Sequence, residues 1–339
     1  MGFMHRCTGG NSSKPGLKQF SRYMELIPLG TSSATLVKER GLSAHVLRSD
    51  GSVLLFDCGD GTQFRLKNAG IRHSRIKAIL ISHLHGDHLM GLFGLLFSMS
   101  LARRDTSLTI VGPEELASIV SAIPGLSPSE LSFRINYVKL KEGFEHEEVY
   151  REDQLCVNAR PLDHGAFCIG YRVTKYGPKK KIDVERARML GVNNSEQFRS
   201  LAMGKSVLTT GGQLITPKEV EDTSRLQAVF AYVTDTRPCA GALELAKNAN
   251  LLLHEATFSQ EHEALGWSTG HTTAAGAAAV AADAGVNKLL LTHFSSRYSD
   301  LSVLEEEART IFPNTAIARE YNVYDIMSAD AKQEAGMAR

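Results

Sequence analysis

The sequence predicts a layered, mixed α/β fold, and three observations carry that expectation. Short apolar strand-like runs alternate with helical stretches along most of the chain. The earliest runs follow one another across turn residues as hairpins do, so the sheet is not the plain doubly wound kind. Apolar strands repeatedly end at a His or Asp, and α/β sheets gather their sites at strand carboxyl ends.

In order, strands are expected at Glu25–Leu29, Ala44–Arg48 and Ser52–Phe56, followed by Gly59-Asp60-Gly61 and a helix over Thr62–Asn68. The run from Ile76 to Ser82 reads as a buried strand leading to His83, and Leu89–Ala102 as a helix. A strand at Leu108–Gly112 and a helix at Pro113–Ala122 follow. Further on come a strand at Ala228–Val233, a helix at Ala240–Ala249, a strand at Leu251–His254, an alanine-rich helix at Thr273–Ala284 and a strand at Lys288–Thr292.

Composition limits the function classes. The 339 residues are 43% hydrophobic and 22% charged, enough for a core without disulfide staples. Lys plus Arg number 38 against 37 acidic residues, which excludes a uniformly basic coat but allows a local basic patch. No run is long and apolar enough to suggest a membrane span. The five cysteines are scattered with no CxxC pair, which favours a reducing compartment, the cytoplasm. Residues 1–23 carry four basic and no acidic side chains and read as a disordered extension, with 328–339 as a tail. Between them, 24–327 reads as the folded domain, with 175–225 set apart inside it. Across 175–191, six basic residues oppose two acidic ones, and Gly177-Pro178 breaks the chain before Lys179, Lys180 and Lys181.

The chemistry concentrates in His83-Leu84-His85-Gly86-Asp87-His88. In an extended segment His83 and His85 share a face. Gly86 permits a turn, and Asp87 and His88 at a helix start can address a second position nearby. Imidazole with carboxylate suits Zn²⁺ or Mn²⁺. One loop has too few donors for two ions, and His164, Asp235 and His293 are placed to supply the rest. His254 and Glu255 are expected behind the donors, with Glu255 or its neighbour fixing an imidazole tautomer.

The HxHxDH string resembles the signature of the metallo-β-lactamase superfamily, whose fold is a four-layer αβ/βα sandwich. More narrowly, the chain resembles the ribonuclease Z family of tRNA 3′-processing endonucleases. The matching segments include Phe56-Asp-Cys-Gly-Asp-Gly-Thr, Leu162-Asp-His-Gly, Thr234-Asp-Thr-Arg-Pro-Cys, His254-Glu-Ala-Thr-Phe, Gly270-His-Thr-Thr-Ala and Leu291-Thr-His-Phe-Ser-Ser-Arg-Tyr. They keep the family's order from about residue 24 to 325.

The resemblance implies a site. His83, His85 and His164 would hold one zinc; Asp87, His88 and His293 the other; Asp235 would bridge them. Asp87 would also accept a proton from the attacking water, and His271 would be the general acid. The product would be a tRNA 3′-hydroxyl and a trailer 5′-phosphate. Arg297 is a candidate phosphate contact. Residues 175–225 would be the family's protruding arm, with Lys179, Lys180 and Lys181 on the substrate RNA, and the working unit a homodimer. Asp57 and Asp60 resemble the loop behind the metals, structural rather than ligating. Other hydrolases of the superfamily, phosphodiesterases or lactone and thioester hydrolases, share HxHxDH but lack this insertion together with the downstream strings.

Overall fold

The computed structural model describes residues 24–177, 182–221 and 227–326. The expected extension and tail lie outside the described residues, as do Lys179, Lys180 and Lys181.

The chain begins with β1 (Met24–Gly30), β2 (Ala44–Ser49), β3 (Ser52–Phe56), α1 (Thr62–Asn68), β4 (Ile76–Leu80), α2 (Gly86–Leu101), β5 (Leu108–Pro113), α3 (Leu116–Ser121) and β6 (Ile135–Leu140). Next come β7 (Glu147–Glu152), β8 (Leu155–Leu162) and β9 (Cys168–Tyr176), then an insertion with α4 (Val184–Met189), α5 (Ser195–Ala202), β10 (Val207–Leu208) and β11 (Leu214–Ile215). The last part holds β12 (Gln227–Val233), α6 (Ala240–Ala246), β13 (Leu251–Glu255), α7 (Glu263–Thr269), α8 (Ala274–Asp283), β14 (Leu289–Thr292), α9 (Ser302–Ile311), β15 (Thr315–Ile317) and β16 (Tyr324–Asp325).

Fourteen of these strands form two seven-stranded sheets, ordered β16-β1-β2-β3-β4-β5-β6 and β15-β14-β13-β12-β9-β8-β7, and β10 pairs with β11 inside the insertion. In each, antiparallel hairpins adjoin a parallel set: β3 to β6 in the first, β12 to β15 in the second. The central strands are apolar on both faces because both faces are covered. On β3, Leu54 and Phe56 point into the layer between the sheets, against Tyr171, Phe230 and Tyr232 of the other sheet. Val53 and Leu55 point the other way, towards Leu66 of α1 and Leu92 and Leu96 of α2. The second sheet repeats the pattern: Leu253 faces inward, while Leu252 packs on the alanine face of α8 with Leu304 of α9. The result is helix, sheet, sheet, helix: the four-layer αβ/βα sandwich.

The insertion hangs from two directly opposed residues, because the β9–β12 pairing extends to Tyr176 opposite Gln227. Its described part has its own small core of Ala187, Val192, Leu201, Val207, Ile215 and Val220. Asp183 and Asn194 cap α4 and α5 with side-chain acceptors for the Arg186 and Gln197 N–H groups.

The expected helix over Leu89–Ala102 begins three residues earlier, at Gly86, so Asp87 and His88 lie in its first turn. The sequence reading assigned no element to β6, β7, β9, α7, α9, β15 and β16, nor to those inside the insertion. Strand β6 has exposed and half-buried positions in place of an apolar run, and α9 is polar over much of its surface.

Candidate metal centre

Four segments end at one place. The loop after β4 supplies His83 and His85, and the first turn of α2 supplies Asp87 and His88. His164 follows β8, Asp235 follows β12, and His293 follows β14. His83, His88, Asp235 and His293 are buried and form the floor. His85 is exposed, and Asp87, His164 and His271 are half-buried around the rim.

The donors fall into two adjoining sets. Ligand atoms of His83, His85, His164 and Asp235 all lie within 4.8 Å of one another, as do those of Asp87, His88 and His293. Asp235 faces both sets. Its Oδ2 is 3.7 Å from His83 Nε2, while its Oδ1 is 3.4 Å from His88 Nε2 and 3.3 Å from His293 Nε2. Asp87 Oδ2 lies 3.4 Å from His88 Nε2 and 3.5 Å from His293 Nε2, and it accepts from the Ala34 N–H at 2.8 Å.

The surrounding hydrogen bonds give Nδ1 of four of the rings an acceptor. His88 Nδ1 donates to the buried Asp57 Oδ2 at 2.7 Å. The Ser82 hydroxyl donates to Asp57, so it accepts from His83 Nδ1 at 2.9 Å. The Thr257 hydroxyl donates to Glu255 Oε2 at 2.5 Å, so it accepts from His293 Nδ1 at 3.0 Å. His164 Nδ1 donates to the Gly270 carbonyl at 2.8 Å. A ring whose single proton sits on such an Nδ1 presents a bare Nε2 lone pair to the centre. His88 Nε2 and His293 Nε2 stand only 3.1 Å apart, and His83 Nε2 is 3.0 Å from His85 Nδ1. Two bare lone pairs as close as those of His88 and His293 repel unless positive charge lies between or beside them. The donor set thus fits metal cations, and its imidazole and carboxylate composition suits zinc or manganese.

Strain and close approach hold this geometry. Asp57, Asp235 and His293 all sit at positive φ, 54°, 31° and 58°, a conformation that costs a non-glycine residue about 1–3 kcal/mol and persists where its surroundings enforce it. The start of α2 is pressed against the 57–59 loop: the Cys58 N–H donates to the His88 carbonyl at 2.8 Å, and the Gly91 N–H to the Cys58 carbonyl at 2.9 Å. A Cβ on Gly91 would stand 2.0 Å from the Gly59 carbonyl oxygen. This contact sets Asp57 behind His88. Tyr232 reaches across from the other sheet to donate to Asp57 Oδ2 at 2.6 Å.

His271 occupies the edge of the centre. Its Nδ1 lies 3.0 Å from the buried Glu255 Oε1 and 4.0 Å from Asp235 Oδ2. Burial disfavours its proton, but the Glu255 carboxylate more than compensates, and its pKa is pushed up to about 9. Glu255 also accepts from the Thr236 N–H at 2.7 Å, linking His271, Thr257 and the strand end that carries Asp235.

Other expected residues are placed differently. His254 is buried on β13 and its Nδ1 donates to the Glu255 carbonyl at 2.8 Å; among the described contacts it reaches none of the donors. Arg297 is exposed, its guanidinium 5.7 Å from the Phe258 ring centre. Arg237, the arginine of the Thr234-Asp-Thr-Arg-Pro-Cys string, is tied to Asp163 Oδ1 at 3.1 Å and to the Trp267 carbonyl at 2.8 Å. Ser82, Thr257 and Tyr232, which orient the rings directly or through Asp57, were not singled out from sequence. Thr257 lies within a matching string and Ser82 directly precedes the HxHxDH string, whereas nothing in the sequence marks Tyr232.

A sandwich of these four layers with two donor sets at its strand ends defines a hydrolase scaffold of the metallo-β-lactamase fold. Consistent with this, residues 219–294 match the model described as "Beta-lactamase superfamily domain", and residues 24–125 match that of "Anti-Pycsar protein Apyc1". The chain is 45% identical to ribonuclease Z of Salinibacter ruber over 89% of its length and 94% of that protein's. It is 36% identical to ribonuclease BN of Escherichia coli, over 89% of this chain and 100% of that one. Among solved structures it matches the short form of human tRNase Z with a TM-score of 0.63 and 26% identity, covering 89% of this chain and 99% of that one. The chain belongs to the ribonuclease Z family of endoribonucleases.

Proposed function

We propose that this protein removes the 3′ trailer from tRNA precursors by zinc-dependent hydrolysis, leaving a 3′-hydroxyl on the tRNA and a 5′-phosphate on the trailer. The observation that carries the reading is the pair of adjoining donor sets that Asp235 faces, with an acceptor behind Nδ1 of His83, His88, His164 and His293. His83, His85 and His164 would hold one ion, Asp87, His88 and His293 the other, and Asp235 both, with Mn²⁺ an admissible substitute for Zn²⁺. Two such ions, when bound, neutralise the scissile phosphate and supply a nucleophile at neutral pH.

The chain's own residues do the remaining work. Asp87, anchored by the Ala34 N–H, orients the attacking water and accepts its proton. His271, held by Glu255, gives its proton to the departing 3′-oxygen. Raised proton affinity suits that role. Arg297 on the exposed edge supplies a phosphate contact. His254 supports the strand end from within the core.

Residues 175–225 act as the arm that grips the RNA away from the cut. Its attachment at two opposed residues and its separate core support that reading, and Lys179, Lys180 and Lys181 meet phosphates without reading bases. The homodimer and the cytoplasmic location rest on the family resemblance. Among the described residues no helix is long and apolar enough to cross a membrane.

The test is a 5′-labelled tRNA precursor incubated with the zinc-loaded protein. A single cut at the end of the acceptor stem is expected, with a trailer that takes a kinase label only after phosphatase treatment. Cleavage at scattered positions, or a trailer with a 5′-hydroxyl, would contradict the proposal.

A further inference from the structure

An open groove of about 600 Å³ adjoins the centre, and of the residues discussed for catalysis only His271 lines it. Its wall includes Trp267, the sole tryptophan in the chain, which is 60% exposed, unusually bare for so large an apolar side chain. Pro238, Gly276, Ala279 and Ile311 make much of the remaining wall apolar.

Trp267 is held, not loose. It lies in the last turn of α7, where the Gly270 N–H donates to the Trp267 carbonyl at 3.3 Å and the His271 N–H to the Gly266 carbonyl at 2.8 Å. Gly270, at φ +79°, closes that helix and its carbonyl accepts from His164 Nδ1. One short turn therefore fixes Trp267, His271 and His164 relative to one another. The Arg237 guanidinium, clamped by Asp163, lies 5.5 Å from the indole centre and braces the ring.

The chemistry of the groove selects its occupant. Glu263 and Glu307 stand on its lining and disfavour a phosphate there. An exposed indole over an apolar floor suits a nucleobase, and such stacking accepts any base. His271, as the acid that protonates the departing 3′-oxygen, lies against the nucleoside that carries that oxygen. The base of that nucleoside is the part of the RNA that can extend past His271 into the groove. We propose that Trp267 is a substrate-positioning residue that stacks on the unpaired base of the nucleotide immediately 5′ to the cut. This inference rests on the endoribonuclease reading above.

The test compares wild type, Trp267→Ala and Trp267→Phe on two precursors, one natural and one abasic at the nucleotide 5′ to the cut. Circular dichroism confirms folding of each variant. On the natural precursor, Trp267→Ala should lower kcat/KM roughly 10- to 100-fold, with Trp267→Phe keeping most of the activity. The abasic precursor should cost the wild type a similar factor and Trp267→Ala little more, because the two changes remove one contact. Binding of a precursor with a non-hydrolysable phosphonate at the cut should quench the single tryptophan's fluorescence only when the base is present. If wild type cuts both precursors equally fast, or the two losses multiply independently, the stacking proposal falls while the endoribonuclease reading stands. If wild type leaves the natural precursor whole, both fall.

Discussion

His88 shows how a donor is made by its neighbours. Asp57, Ser82 and Tyr232 converge behind it, so its Nδ1 keeps the proton and its Nε2 is left for a cation. The donors themselves were legible because four of seven stand within six residues, with types that few structural roles require together. The supporting groups were less so: Tyr232 lies 175 positions from Asp57, and only the face-to-face packing of two sheets joins them. Thr257 is the sharpest test of this layer. Thr257→Val keeps the shape but removes the hydroxyl that accepts from His293 and donates to Glu255. Metal affinity or precursor cleavage should fall about 10- to 100-fold, measured by chelator competition and single-turnover cleavage. Asp87→Ala should go further and leave only background cleavage, with folding intact by circular dichroism.

Among the elements, α2 bears most directly on the site, because its first turn carries two donors and its position depends on a close backbone contact. Gly91 and Gly59 interlock; a Cβ on Gly59 would stand 2.3 Å from the Asp87 carbonyl oxygen. Gly91→Ala should destabilise the protein by about 1–3 kcal/mol, read from urea unfolding, and should loosen metal binding, because the helix start must shift. The sequence placed the apolar run of this helix from Leu89, with Asp87 and His88 at its start. Gly86 reads as a turn, and the apolar period starts only after His88. The insertion is the opposite case, set off by its Gly-Pro break and lysine run. Because Tyr176 and Gln227 face each other, replacing 178–225 with a short Gly-Ser linker should preserve the sandwich. Such a variant should still hydrolyse a small phosphodiester and lose most of its affinity for precursor, measured by gel shift at stated salt.

At the scale of the molecule, the two sheets are held face to face by one apolar layer and meet at their strand ends in a crowd of lone pairs and carboxylates. The alternation of strands and helices was readable, and the resemblance supplied the four layers. What no local pattern signals is closure: β16 returns from the far end of the chain to pair with β1, and the Ile326 N–H donates to the Met24 carbonyl at 2.9 Å. Donors contributed by both halves couple metal to fold. Chelation should lower Tm by several degrees, and readdition of zinc should restore it, since a ligand bound only by the native state stabilises it by about 4 kcal/mol at a thousand times its Kd. The central claim is that two cations share Asp235. Metal analysis of the purified chain and its variants tests it most directly. Two ions per chain are expected for wild type, one for His164→Ala, and fewer than one for Asp235→Ala with the fold retained. One ion per chain in wild type, or two in Asp235→Ala, would contradict it.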